Sequence, residues 1–496
     1  MYFNNKRMPW SNFHGLNLDW VMETVKANSD KIEALGDIDV YSNFFANANV
    51  VNVLAPPNDL EPIDVDAVSA NLQIIMDYYE NEPVVLFFPY GTYKFDANVI
   101  VHGDTKIIGN GSKFIKNALL SRFFINATGT VDYTAYTAPG NIQFIGINFD
   151  NNYAEYPEES NTLMFGHSEK ILIKDCSFTG VNNFHFVEFN GCQDSIIEGC
   201  TFGKMYQDGT RDYTEAVQLD FMGGSPQFSQ FGTYDDTVCK NILIRNNKFS
   251  RCIAGVGSHS QKTNVNPTGI NIINNLFENL EDDAIRFVEY RDSNIAFNTF
   301  DTCESMIEMR YSERINILSN VVKNTTSTSI YLQDECKKTL IQGNRIINSA
   351  TNGVFIEVNC EDVVIKNNII DGSIGYGIFC KECSNVDIVD NKVLNSGDHG
   401  ILFSIDANDC RIIGNDVRES GVSSSNIRVS ITSDNNVLLN NKVRKGATLT
   451  DIGISIGIGC DNTILIGNDT TDGGESLNYE DLGTATVTTS VNIGLV

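Results

Sequence analysis

Proline is scarce in this chain, 10 residues in 496, and tryptophan scarcer still, with two. So little proline excludes a linker-rich architecture. Basic residues are few as well: 35 Lys and Arg stand against 63 Asp and Glu, a formal charge of −28. A field of that sign repels nucleic acid and anionic membranes at long range. No basic cluster offers a phosphate-binding stripe, so no nucleic-acid partner is expected. No run of about 18 apolar residues occurs, so no membrane-spanning helix is expected. The opening MYFNNKRMPW lacks the apolar core of a secretory signal. The twelve cysteines all fall between Cys176 and Cys460, mostly beside strand-like residues. They read as small buried side chains of a protein assembled in a reducing compartment. The lone C-x-x-C, Cys380 and Cys383, has no second pair and no histidines at ligand spacing, so neither metal nor other cofactor is expected.

What is present in quantity is a repeat. Short runs recur in which an apolar stretch is followed by Asn and, two places on, an apolar residue: ILIRNNKF, INIINNLF, NIAFNTF, INILSNVV, LIQGNRI, VVIKNNII, VDIVDNKV, RIIGNDV, VLLNNKV and ILIGNDT. The asparagines are Asn247, Asn275, Asn298, Asn320, Asn344, Asn368, Asn391, Asn415, Asn441 and Asn468, spaced by 22 to 28 residues. Two earlier runs, ILIKDCSF and SIIEGCTF, place Cys176 and Cys200 at the equivalent position. One coil of a parallel β-helix takes roughly 20–25 residues, and coils stack about 4.8 Å apart. An Asn at a tight turn tolerates the left-handed conformation and can bond the next Asn in the stack. Apolar and polar residues alternate within each run, giving one face in and one out. Leucine-rich repeats need a leucine framework that is missing here, and propellers need longer blades. The fold class is therefore all-β, a right-handed parallel β-helix.

The ends read differently. Residues 64–79 carry Val65, Val68, Leu72, Ile75 and Tyr79 at helical spacing, as a cap on the first coil would. A strand, a Pro-Tyr-Gly turn and a second strand follow. Residues 17–35 form a further expected helix, with Leu18, Val21, Val25, Asn28, Ile32 and Leu35 at the 3-4 spacing of a short coiled coil. A coiled coil implies a homo-oligomer; the alternative is an amphipathic helix lying on its own subunit. The expected division is an attachment or oligomerisation segment over 1–39, a cap helix and first coil over 40–100, the β-helix over 101–470 and a C-terminal cap over 471–496.

The stretch FFPYGTYKF, with the helix before it and IIGNGSKF after it, resembles the opening motif of pectate-lyase-like β-helices in phage tailspikes and surface depolymerases. The N-terminal RMPWSNFHGLNLDWVMETVK, through Pro9, Trp10, Phe13, His14, Leu16, Asn17, Leu18, Asp19 and Trp20, is similar to the start of virion proteins from phages of Gram-positive hosts. YTEAVQLDF and AGVGSHS look like a subgroup of β-helix repeat proteins in phages and Gram-positive bacteria. The resemblance implies a tailspike or appendage subunit, joined to other virion proteins through residues 1–39, three copies together, acting outside the cell on a host-surface polysaccharide. The pectate lyase catalytic and calcium motifs are not recognisable, so pectin cleavage is not implied.

Aligning EAVQLDF, AGVGSHS, DAIRFVE, SMIEMRY, TSIYLQD, NGVFIEV and YGIFCKE on inward apolar residues leaves two outward columns. The first reads Gln218, Gly257, Arg286, Glu308, Tyr331, Phe355, Phe379. The second reads Asp220, His259, Val288, Arg310, Gln333, Glu357, Lys381. Carboxylates, guanidiniums and rings on one flat face suit a sugar polymer, though an ordinary solvated sheet face also mixes charges. Asp220 and His259 on adjacent coils are the expected acid–base dyad, with a second carboxylate from Glu215, Asp235 or Asp236. Gln218, Asp236, Arg286, Glu308, Arg310, Tyr331, Gln333, Phe355 and Glu357 are the expected substrate contacts. The loop MGGSPQFSQFGTYDD, in the longest interval of the repeat, is expected to wall a groove beside Asp220. A glycoside hydrolase, a polysaccharide lyase using Arg286 and Arg310, and a receptor-binding fibre that cuts nothing remain open. A bacterial enzyme is disfavoured, since it should carry an export signal.

Overall fold

The structure, a computed structural model, describes residues 48–127, 129–209, 214–421, 424–446, 450–488 and 492–494. The expected 17–35 helix and the 1–39 segment lie outside them. Parallel strands stack coil upon coil into a right-handed solenoid. One face is a 15-stranded sheet; two further stacks, joined through the long strands Thr105–Lys116 and Gln143–Asp150, make up a 29-stranded sheet. Inside runs one continuous apolar core from Val51 to Leu465. Phe149, Phe178, Phe202, Phe249, Phe277 and Phe300 stack nearly parallel along it at 4.6–5.1 Å, the coil spacing itself.

The asparagines superpose from coil to coil. From Asn247 to Asn441, each donates from Nδ2 to the next Asn Oδ1 and to a backbone carbonyl of the preceding coil, while its own N–H donates to that same Oδ1. Asn492 extends the series beyond Asn468. Cys200 occupies the same rung: its N–H donates to Asn247 Oδ1 and its thiol to the Ile173 carbonyl. One detail differs from the sequence reading. The left-handed residue is not the ladder Asn but the one before it: Asn246, Asn274, Phe297, Ser319, Gly343 and Asn367 all have positive φ. That residue turns the corner, and the turn aims the following Asn inward.

At the start, the helix runs Ser69–Tyr78, shorter than expected, burying Leu72, Ile75 and Met76. Val65 lies outside it, 40% exposed, because its carbonyl accepts the Lys94 N–H. At the other end, strands Leu477–Asp481 and Val487–Thr488 pair onto the sheets and continue the stack. All twelve cysteines are buried free thiols, and no metal-ligating cluster occurs among the described residues.

Candidate functional site

The outer face of the 15-stranded sheet carries the site. Glu215–Asp220 is a strand of this sheet, flanked by Val187–Asn190 on one side and Ala254–Gly257 on the other. Val217 and Leu219 point into the core, which turns Gln218 and Asp220 outward. Pairing with the next coil stops at Gly257, whose φ is +152° and where a Cβ would fall 1.9 Å from the Arg286 carbonyl oxygen. Only glycine fits there, and beyond it the chain departs from the sheet. Tyr290 therefore reaches through the core to give its hydroxyl hydrogen to the Leu219 carbonyl.

The divergence opens a cleft of about 350 Å³. Its floor is Glu188, Gln218 and Asp220. Phe184 and His185 line it as well, and His259, Ser260 and Gln261 come from the loop after Gly257. The opposite wall is the inserted loop, through Phe221, Gly223, Gly224, Ser225 and Phe228. That loop sits on a small core of its own, in which Phe228, Phe231 and Met222 pack on Ile125, Ala127 and Met164. Gly166 leaves room for the Phe231 ring, 2.4 Å from where its Cβ would be.

Each polar group in the cleft is held. Asp220 accepts hydrogen bonds from Gln218 Nε2 (3.0 Å), the Phe221 N–H (3.0 Å), Ser258 Oγ (3.3 Å) and Ser260 Oγ (2.8 Å). Burial pushes its carboxyl up, and the Ser260 bond and the His259 charge only partly offset this. Glu188 accepts from Asn161 Nδ2, whose Oδ1 in turn takes the His185 N–H. His259 Nδ1 lies 3.3 Å from both carboxylate oxygens of Glu215. Glu215 is fully buried, and His185 Nδ1 lies 2.7 Å from its carbonyl oxygen. Burial alone would raise the Glu215 carboxyl, but the His259 hydrogen bond and the charges of His259, His185 and Arg286 hold it down at about 2. Glu215 is thus an anion that orients His259 and reaches the cleft through it.

Against the sequence reading, the first column stands in register: Gln218, Gly257, Arg286, Glu308, Tyr331, Phe355 and Phe379 pair one to the next. In the second, Val288, Arg310 and Gln333 pair, as do Glu357 and Lys381, while His259 has left the sheet. Its nitrogen meets Glu215, and Asp220 is met by the serines on either side of it. Asp236 is paired with Lys262 at the base of the loop, and Asp235 caps Ala135 and Thr237. Arg286 is bound by Asp282 and Asp283, and Glu308 takes both Arg310 and Gln333, so these groups spend much of their capacity on one another. Tyr331, Phe355 and Phe379 stack at 4.6–5.1 Å with planes within 3°. Their faces are covered by one another. The row therefore offers ring edges to the outside, and Tyr331 Oη is already bonded to Glu357.

The residue missed from the sequence is Glu188. It pairs with Gln218, and Asn190 pairs with Asp220. Glu188 and Asp220 therefore stand one coil and two residues apart on the same face, about 8 Å between Cα positions. The signal was available: FVEF at 186–189 has the same alternation as VQLD and stands one coil earlier.

The family described as "Right handed beta helix region" matches residues 227–360, 264–417 and 338–491, together just over half of the sequence. The chain belongs to that family. It is 24% identical over 272 residues to the plasmin and fibronectin-binding protein A of Streptococcus pneumoniae, a match covering 48% of this chain and 38% of that protein. The crystal structure of that organism's surface adhesin PfbA is 16% identical, with 86% of this chain and 94% of that one covered and a TM-score of 0.48. A mutant tailspike protein of E. coli bacteriophage HK620, in complex with a hexasaccharide, is 9% identical, with 90% and 79% covered and a TM-score of 0.50.

Proposed function

We propose that this protein is a phage tailspike or appendage subunit that binds a host-surface glycan along the outer sheet face and hydrolyses it in the cleft. The observation that carries the reading is the pair of outward carboxyl groups, Glu188 and Asp220, in one cleft with His259 between loop and sheet. Inverting glycosidases separate their two carboxyls by about 6.5–9.5 Å and retaining ones by about 5–5.5 Å. Standing one coil and two residues apart, with Cα positions about 8 Å from each other, Glu188 and Asp220 leave room between them for the water of the wider, inverting arrangement. Asp220, whose carboxyl burial pushes up, supplies the acid. In the reaction a water oxygen bonds to the anomeric carbon as Glu188 takes its proton. The carbon–oxygen bond to the leaving sugar breaks as that oxygen takes the proton of Asp220, and the configuration inverts. His259, fixed by Glu215, donates to a sugar hydroxyl.

The N-terminal motif supports attachment to other virion proteins through residues 1–39 and a Gram-positive host, and the resemblance to tailspikes supports a homotrimer. The likeness to a tailspike solved with a hexasaccharide agrees with glycan as the ligand. The test is release of oligosaccharide from wall and capsule fractions. Asp220→Asn and Glu188→Gln should each lower release by about a hundredfold or more while binding persists. Unchanged release in Asp220→Asn refutes the site. A second reading, a receptor-binding fibre without catalysis, draws on the sequence match to a pneumococcal binding protein. It predicts binding with no release by the unmodified protein.

A further inference from the structure

Resting on the reading of the cleft as a glycan site, the geometry points to its substrate class: we infer that the cleft selects an uncharged stretch of glycan, of neutral or N-acetylated sugars, over one bearing uronate or phosphate. The described lining contributes two carboxyls, Glu188 and Asp220, and no Lys or Arg. Its other polar groups, Gln218, Ser225, Ser260 and Gln261, are neutral and suited to hydroxyls and amides. The two imidazoles at the cleft face a third, buried carboxylate, Glu215. With Asp220 holding the proton it delivers as the acid, Glu188, Glu215, His185 and His259 sum to 0 when both imidazoles are protonated and to −2 when neither is, so these groups never present a net positive charge.

The guanidiniums in the vicinity already have carboxylate partners. Arg286 gives Nη2 to Asp282 and Asp283. Arg122 interacts with the charge of Glu188 itself and is not among the residues that line the cleft. Lys262 holds Asp236. An anion brought into such a cleft faces carboxylates at short range in a partly desolvated place, where a unit charge at about 6 Å matters far more than in bulk water. At that distance and an effective dielectric near 20, one carboxylate costs a ligand anion roughly a hundredfold in affinity; partial neutralisation by the imidazoles and by Arg122 leaves an expected discrimination of about tenfold. This bears on the reaction as well. A lyase acting on a uronate needs a cation to neutralise the sugar carboxylate, and the described lining offers the imidazoles alone.

The experiment measures binding of the full-length protein to a panel of immobilised bacterial surface glycans sorted into uncharged, uronate-bearing and phosphate-bearing, at low and high salt. The tightest binders should be uncharged, with charged relatives of the same backbone about tenfold weaker, and the gap should narrow as salt screens it. The double variant Glu188→Gln/Asp220→Asn should close the gap by a similar factor while circular dichroism stays native. Tightest binding to uronate or phosphate polymers, or a gap untouched by the double variant, overturns the inference and leaves the glycan reading standing. Binding to none of the panel, with the fold intact, removes the glycan reading itself and the inference with it.

Discussion

Replacing Asn320 with alanine tests the physical basis of the whole solenoid. The residue is 1% exposed. Its Nδ2 donates to the Ile295 carbonyl (3.0 Å) and to Asn344 Oδ1 (2.9 Å), and its Oδ1 accepts from Asn298 N–H (2.9 Å) and Asn298 Nδ2 (3.1 Å). Alanine removes all four bonds and strands two backbone groups, the Ile295 carbonyl and the Asn298 N–H, in a dry interior. Each buried orphan costs about 1–3 kcal/mol, so the expected loss is about 4 kcal/mol. Lys323→Ala, an exposed strand position one coil-face away, should cost under about 0.5 kcal/mol. Asn320→Cys should fall between, because Cys200 already shows that a thiol can serve the same carbonyl. The assay is urea unfolding followed by far-UV circular dichroism, which reads the strands directly, since both tryptophans, Trp10 and Trp20, lie outside the described residues. The comparison holds where the slope with denaturant is unchanged between variants. A loss for Asn320→Ala as small as that for Lys323→Ala would refute the ladder as a source of stability.

Phe297 is the large exposed member of the left-handed corner column, at φ +59° and 61% exposed. Phe297→Asn, matching Asn274 and Asn367 in the same column, should stabilise by about 1 kcal/mol and raise the urea midpoint. Glu215 contributes through its depressed pKa of about 2 against an ordinary value of 4.5, a difference of about 3 kcal/mol. Since the folded pKa is lowered, that stability is fully present above about pH 4.5 and lost as pH falls through about 2. The stability gap between wild type and Glu215→Gln should therefore shrink across that window, and a gap constant from pH 7 to 2 counts against the His259 pairing. The twelve thiols are buried, with Cys192 and Cys303 pushed up to about 12 chiefly by burial. Ellman's reagent should find almost no thiol in the native protein and twelve after unfolding.

The repeat was legible because its cause is local and recurs: one buried Asn per coil, each needing the next, leaves a periodic mark that spacing alone reveals. The first outward column was legible for the same reason, since a parallel register set by core residues carries from coil to coil without slippage. The cleft was legible only in part, and the break falls where periodicity does. Gly257 ends the pairing, so the alternation that assigned His259 to the second column no longer applied to it. Its partner was then decided by three-dimensional proximity to Glu215, which strand parity would have turned away from the outer face. The aromatic row shows a different limit. Sequence places Tyr331, Phe355 and Phe379 on one line, but parallel stacking at the coil spacing turns their planes toward one another, as it does inside the core for Phe202, Phe249 and Phe277. In a parallel β-helix, a row of identical outward side chains interacts with itself before it can interact with a ligand. Side chains are left free of such self-stacking where an insertion breaks the row, and the inserted loop from Phe221 to Thr237 walls the cleft that holds Glu188 and Asp220.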